Sequence, residues 1–173
     1  MENTVLVNKV AESGLITINL ENYFPQHSFA VFDLKDYLFH GLILKEKEFR
    51  DALKSLDWTR YEQKLVLITC STDAIIPLWA YMLIESYLHG IAADTYQGSE
   101  EEYLRMYYRN VLSQIDVAKY IDQRIVIKGC SNKPVPAYAY GYITQLLKPY
   151  AQSIMFGEPC STVPIFKRPR KLD

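Results

Sequence analysis

Residues 64–81, KLVLITCSTDAIIPLWAY, decide how the rest of the chain is read. The run from Lys64 to Thr69 is apolar after its first residue, of strand length and rich in branched side chains, as a strand buried on both faces requires. It ends in Cys70-Ser71, and Pro77 then opens an apolar, aromatic run with a helical pattern. The same order returns over residues 124–140, RIVIKGCSNKPVPAYAY. There Cys130-Ser131 follows the strand, and Pro136 precedes Tyr138-Ala139-Tyr140 as Pro77 precedes Trp79-Ala80-Tyr81. A partial third copy, SIMFGEPCSTVP over residues 153–164, places Cys160-Ser161 after another apolar run. Every cysteine of the chain is thus followed by Ser and stands just past an expected strand.

The repeat extends upstream of the cysteines. KEKEFRDALKSL places Phe49, Ala52, Leu53 and Leu56 on one face of a helix. At a shift of 59, Phe49 matches Tyr108, Arg50 matches Arg109, Leu53 matches Leu112, Asp57 matches Asp116 and Tyr61 matches Tyr120. At a shift of 60, Lys64 matches Arg124 and Cys70 matches Cys130, so the frame is expected to move by one in the loops. An internal duplication of an α-β-α-β unit follows, over residues 45–98 and 103–158, with residues 91–96 the counterpart of 153–156. Upstream of both copies, residues 4–12 read as a short helix. ITINL alternates as a half-buried strand, and FAVFDL reads as a second strand. Residues 38–44 fit helix and strand equally well.

Helices alternating with short apolar strands imply an α/β fold, a mostly parallel sheet with helices on both faces. At 173 residues a single domain is the simplest organisation. The strands of a parallel sheet finish at one edge, where ligands of open α/β sheets bind. All three cysteines are expected at that edge. With 49% hydrophobic and 23% charged residues and a net charge of −1, the composition is that of an ordinary globular protein. It gives no general pull toward nucleic acid or membrane, and the longest apolar run, residues 74–84, is too short to span a bilayer. No export signal is read at the N-terminus, so the expected compartment is the cytoplasm, where thiols stay reduced. The C-terminal KRPRK is expected to be a solvated tail.

A cysteine just ahead of a helix would lie near free N–H groups and the positive end of the helix dipole, which favours thiolate. Lys133 would add to this at Cys130, with Ser71, Ser131 and Ser161 as caps. If Cys70, Cys130 and Cys160 converge, three thiolates and a replaceable fourth ligand suit zinc or an iron–sulfur cluster, with Asp73 the nearest fourth donor. Their spacings of 60 and 30 residues match no local metal knuckle, and no CxxC is present. The alternatives are a thiol-dependent or sulfur-accepting protein, in which one cysteine is the nucleophile, and an interaction module with structural cysteines. His27, His40 and His89 read as surface or capping residues. No phosphate loop, GxSxG or HExxH is present.

At TCSTDAIIP, KGCSNKPVP and FGEPCSTVP, together with GLILKEKEFR upstream, the chain resembles a family of uncharacterised cytosolic bacterial proteins, mainly from Bacteroidetes, classed as a domain of unknown function. The resemblance covers nearly the whole length. It implies no established activity. By gene neighbourhood with the sulfur-mobilisation route, it implies a role beside iron–sulfur assembly proteins.

Overall fold

The computed structural model describes residues 14–129 and 132–169. The helix expected over residues 4–12, together with Cys130 and Ser131, lies outside them. Leu65–Thr69 forms the central strand of a three-stranded parallel sheet. In chain order the strands are β1 (Leu15–Asn19), β2 (Phe29–Asp33), β3 (Leu65–Thr69), β4 (Asp94–Gln97), β5 (Arg124–Lys128), β6 (Ser153–Glu158) and β7 (Ser161–Lys167). The helices are α1 (Glu46–Ser55), α2 (Leu78–Leu88), α3 (Glu100–Ser113) and α4 (Ala137–Leu147). The mostly parallel α/β architecture expected from the sequence is present, but in two sheets rather than one, ordered β2-β3-β4 and β1-β5-β6-β7.

The chain divides into two compact units, residues 25–103 and residues 1–24 with 104–173. We call them the inserted unit and the outer unit. In the inserted unit β3 pairs with β2 through Phe29↔Leu65 to Asp33↔Thr69, and with β4 through Leu65↔Asp94 to Ile68↔Gln97. Strand alternation turns Phe32, Val66 and Ile68 to one face, where they pack with Phe49 and Leu53 of α1 and with Ala80, Ile84 and Leu88 of α2. Those three α2 residues recur every four positions, which builds one apolar stripe. Each buried aliphatic side chain contributes about 1.5–3 kcal/mol. On the other face Phe29 meets the Tyr103 ring of α3 edge-on at 5.6 Å. A capping box starts α3. The Ser99 amide donates to the Glu102 carboxylate at 2.8 Å, and the Glu102 amide donates back to Ser99 Oγ at 3.3 Å.

In the outer unit β1, β5 and β6 are parallel, and β7 returns antiparallel along β6 as the edge strand, with an irregularity between Ile154 and Met155. Pro164 lies within β7, consistent with an edge position. Residues 38–44, which suit helix and strand alike, are neither. A Phe39↔Ile43 bridge closes a tight turn with His40 (φ 52) and Gly41 (φ 70) in the left-handed region.

The order α, 3-10 turn, β, α, β occurs in both units, and from the 3-10 turn onward each element starts at a shift of 59. Helices α2 and α4 begin after Pro77 and Pro136, and the 3-10 turns begin at Trp58 and Val117. Gln63 (φ 55) and Asp122 (φ 57) take the same left-handed conformation. Strands β3 and β5 begin at Leu65 and Arg124, and β4 and β6 at Asp94 and Ser153. Each unit also begins with a strand and a 3-10 turn, 14 residues apart: Asn19-Leu20-Glu21-Asn22-Tyr23 repeats as Asp33-Leu34-Lys35-Asp36-Tyr37. The 59-residue register needs no shift to 60, and this corrects the pairing of the cysteines. Cys70 corresponds to Gly129, and Cys130 to Ser71.

Candidate functional site at the strand ends

In the inserted unit the three parallel strands end at Asp33, Thr69 and Gln97. Asp33 Oδ1 accepts from the Lys35 amide at 3.0 Å, capping the 3-10 turn, and from the Ser71 amide at 3.0 Å. One carboxylate therefore fixes both the exit of β2 and the loop after Cys70. Partial burial pushes the Asp33 carboxyl up, but hydrogen bonds from the Ser71 hydroxyl and from the Lys35 and Ser71 amides outweigh it. With the Lys35 charge they hold it below the ordinary carboxylate range.

Cys70 is half-buried at the end of the central strand. Its Sγ lies 3.6 Å from the Thr72 carbonyl and 3.4 Å from Thr72 Oγ1. The Tyr81 phenol is raised above its usual range, first by burial and then by the nearby Cys70 charge, against a hydrogen bond with the Gln97 side chain. Tyr81 is thus a protonated hydroxyl near the sulfur. Helix α2 does not follow Cys70 directly. Helix α2 begins only at Leu78, with Pro77 as its N-cap and no side-chain cap, and the dipole's influence is confined to the first turn. Ser71 accordingly caps no helix. Ser161 does not either, because it opens β7.

The outer unit resolves the same exit differently. Gly129 follows β5 at φ 138. A Cβ there would stand 3.0 Å from both Cβ and N of Leu20 and 3.1 Å from the Glu21 N, so the position that carries Cys70 in the inserted unit accepts only glycine here. The loop beyond is held by Glu21, whose carboxylate accepts from the Asn132 amide at 2.8 Å. Cys160 is exposed in the Pro159-Cys160 turn of the β6–β7 hairpin. It therefore follows a parallel strand, as expected, and stands in a hairpin turn. Beside it Lys128 and Glu158 form an ion pair at 2.9 Å.

Where the inserted unit carries Gln97, Met82 and Glu85, the outer unit carries Phe156, Gly141 and Thr144. The small side chains of α4 leave an open apolar cleft of about 610 Å³, lined by Ile127, Tyr140, Met155, Phe156 and Ile165 among others. Tyr140 meets Phe156 edge-on at 5.7 Å.

The remaining candidates have surroundings of their own. Asp73 is exposed and borders a different hollow, with Leu42, Ile43 and Ile75. Lys133 is exposed, its Nζ 5.3 Å from the centre of the Phe24 ring. His27 is exposed with Nδ1 2.9 Å from the Gln63 carbonyl oxygen, and His89 is the C-cap of α2. Among the described residues, no three His, Cys, Asp or Glu side chains gather as a metal-ligand set. In the basic tail, Arg168 is tied down by the Asp122 carboxylate and by the Tyr150 carbonyl at 2.7 Å.

The profile of DUF2480, proteins of unknown function, matches residues 4–168. The chain belongs to this family. The match takes in both units. No curated protein and no solved structure matches the chain. For this DUF2480 chain, the sequence reading found Cys70 but missed Asp33, Thr72, Tyr81 and Gln97 around it. The signal for Asp33 lay in the NLENY and DLKDY pair, a cap residue followed by a buried Leu and a Tyr. The site's chemistry is that of a thiol beside the Thr72 hydroxyl, with a carboxylate anchoring the adjoining loop. No described helix is long and apolar enough to cross a membrane.

Proposed function

We propose that the protein handles thiol or sulfur groups through Cys70, in the cytoplasm, as a sulfur-accepting or thiol-dependent factor. The observation that carries this reading is the position of Cys70. It is half-buried at the end of the central strand of a parallel sheet, with the Thr72 hydroxyl at 3.4 Å able to orient a sulfur and the Tyr81 phenol close enough to be raised in part by the sulfur's charge. Strand ends of this type are where α/β sheets bind their ligands.

Incubating the reduced protein with inorganic polysulfide and mapping the adducts by mass spectrometry tests the reading. A persulfide should accumulate at Cys70, disappear in Cys70→Ser and form several-fold more slowly in Tyr81→Phe. Labelling at Cys160 alone, or labelling of Cys70 unaffected by Tyr81→Phe, sinks it.

A second reading is a zinc ion or iron–sulfur cluster held by Cys70, Cys130 and Cys160, with Asp73 as fourth donor and iron–sulfur assembly proteins as partners. One observation favours it. Strands β5 and β6, which precede Cys130 and Cys160, are parallel neighbours, paired through Ile127↔Phe156. Anaerobic purification followed by metal analysis and absorbance in the sulfide-to-iron region separates the two readings. Cys130→Ser and Cys160→Ser should abolish metal under the second and leave persulfide formation unchanged under the first.

A further inference from the structure

The exposed faces of α1 and α3 have opposite character at the same register. Glu46-Lys47-Glu48-Phe49-Arg50 in the inserted unit becomes Arg105-Met106-Tyr107-Tyr108-Arg109 in the outer unit. In the first, Arg50 lies over the Trp79 ring at 5.6 Å and its Nε is neutralised by Glu46 at 2.9 Å. In the second, Arg105 replaces that Glu. Its guanidinium lies 5.7 Å from the Tyr138 ring centre, while Arg109 lies 5.8 Å from that of Tyr142 and its Nη1 is 3.5 Å from the Tyr138 hydroxyl. The two tyrosine rings stack on each other at 5.7 Å and 12°.

Both arginines are exposed, and among the described residues neither has a carboxylate within ion-pair distance. Like charges one helical turn apart disfavour a helix, and among the described residues no ion pair relieves the repulsion of these two. We propose that the α3–α4 face carrying Arg105, Arg109, Tyr138 and Tyr142 docks a carboxylate-rich segment of a protein partner.

Charge complementarity selects the occupant. Two guanidiniums steadied against aromatic rings present N–H forks that match carboxylates, and less side-chain freedom remains to be lost on binding. Replacement of Glu, Lys and Glu by Arg, Met and Tyr is the compositional change that marks protein interfaces. Nucleic acid fits less well. The tyrosine rings are engaged by each other and by the guanidiniums rather than left open to stack bases, and the net charge of −1 offers no phosphate-tracking groove.

The test uses the full chain, with arginine side-chain Nε–Hε resonances followed by NMR as a synthetic peptide of alternating Glu and Leu is added. Its Gln-for-Glu counterpart and a single-stranded thymidine oligonucleotide serve as competing probes. The Glu/Leu peptide should shift the signals of Arg105 and Arg109. Arg105→Glu, which recreates the inserted unit's ion pair, should weaken binding about tenfold, as loss of a charged hydrogen bond does. Circular dichroism should show an unchanged fold, and Arg109→Gln provides a second, milder variant with the same direction of effect. Unmoved arginine signals, equal binding of the Gln peptide, binding indifferent to both substitutions, or a response to the oligonucleotide in place of the peptide each overturns the proposal.

Discussion

Set side by side at a shift of 59, the two units show the same backbone carrying different chemistry at the strand ends. The inserted unit has Asp33, Cys70, Tyr81 and Gln97, a polar corner with a half-buried sulfur. The outer unit has Gly129, Tyr140 and Phe156 in that register and Asn19, 14 residues before Asp33, as the matching cap, with an open apolar cleft beside Tyr140 and Phe156. What is shared lies in the core. Ala80, Ile84 and Leu88 correspond to Ala139, Ile143 and Leu147, each at 0–1% exposure. A repeated packing scheme thus fixes the scaffold, while the loops leaving it are free to diverge. Function should follow the residues in which the units differ.

The largest expected effect comes from exchanging the residues at the exit of the central strand. Gly129→Cys gives the outer unit the inserted unit's residue, but its Cβ would meet the backbone nitrogens of Leu20 and Glu21 at 3.0–3.1 Å, at φ 138. Strain of this kind costs ~1–3 kcal/mol before the close contacts are added. Urea denaturation should show a loss of at least about 2 kcal/mol. The reverse exchange, Cys70→Gly, introduces no strain and should cost only ~0.5–1 kcal/mol through added freedom of the unfolded chain. Equal losses from the two would mean that the strand exits are alike after all.

A smaller effect is expected at Phe49 and Tyr108, which also correspond. The Tyr108 hydroxyl donates to the Leu20 carbonyl at 3.0 Å, tying α3 to the end of β1 across 88 residues of sequence. Burial, and then the neighbouring Tyr140, Tyr107 and Glu21, push this phenol far above its ordinary range, so it remains a donor throughout the accessible pH scale. Tyr108→Phe should cost about 1–1.5 kcal/mol in thermal or urea unfolding, the net worth of a hydrogen bond. Phe49→Tyr should destabilise too. Its added hydroxyl would enter a site walled by the rings of Tyr37 at 5.4 Å and Trp79 at 6.1 Å. A neutral Tyr108→Phe would show that the bond is incidental to the outer unit.

The scaffold was legible because buried strands and amphipathic helices leave periodic apolar patterns, as in Leu65–Thr69 and in Phe49 with Leu53. Two features escaped. The leading strand and 3-10 turn of each unit share few residue identities, since Asn19 and Asp33 cap equally well by donating no bond and accepting one. The division into two sheets depends on which strands pair, and hydrophobic pattern alone does not choose among buried partners. The cysteines misled for a physical reason. Cys-Ser after a strand suggested equivalence and a frame shift in the loop, whereas the backbone keeps its register and places a glycine opposite Cys70. Thr72, Tyr81 and Gln97 gather only once the loop folds back, and nothing in their spacing announces that.

The smallest expected effect concerns the cap residues of that leading turn. Asp33 and Asn19 both accept from an amide two residues on, at 3.0 and 3.1 Å, but only Asp33 can titrate. Its carboxyl is lowered in the folded protein, despite some burial, by hydrogen bonds from Ser71 and the Lys35 amide. A lowered folded value means that the unfolded chain binds the proton more readily, so the stabilisation is complete above the ordinary carboxylate range. It is lost as pH falls through that range toward the lower folded value. Asp33→Asn should therefore unfold at nearly the wild-type temperature in acid and at a slightly lower one near neutrality, flattening the pH profile of the melting temperature. Because the group is largely open to solvent the difference should be small. Asn19→Asp in the outer unit should do the opposite of a stabilising exchange, since the new charge would stand beside the Glu21 carboxylate that holds the Asn132 amide. If both substitutions leave the profile unchanged, the Asp33 clamp on the loop after Cys70 does no more than the neutral cap of the outer unit, and the polarity of that corner must act on the sulfur alone.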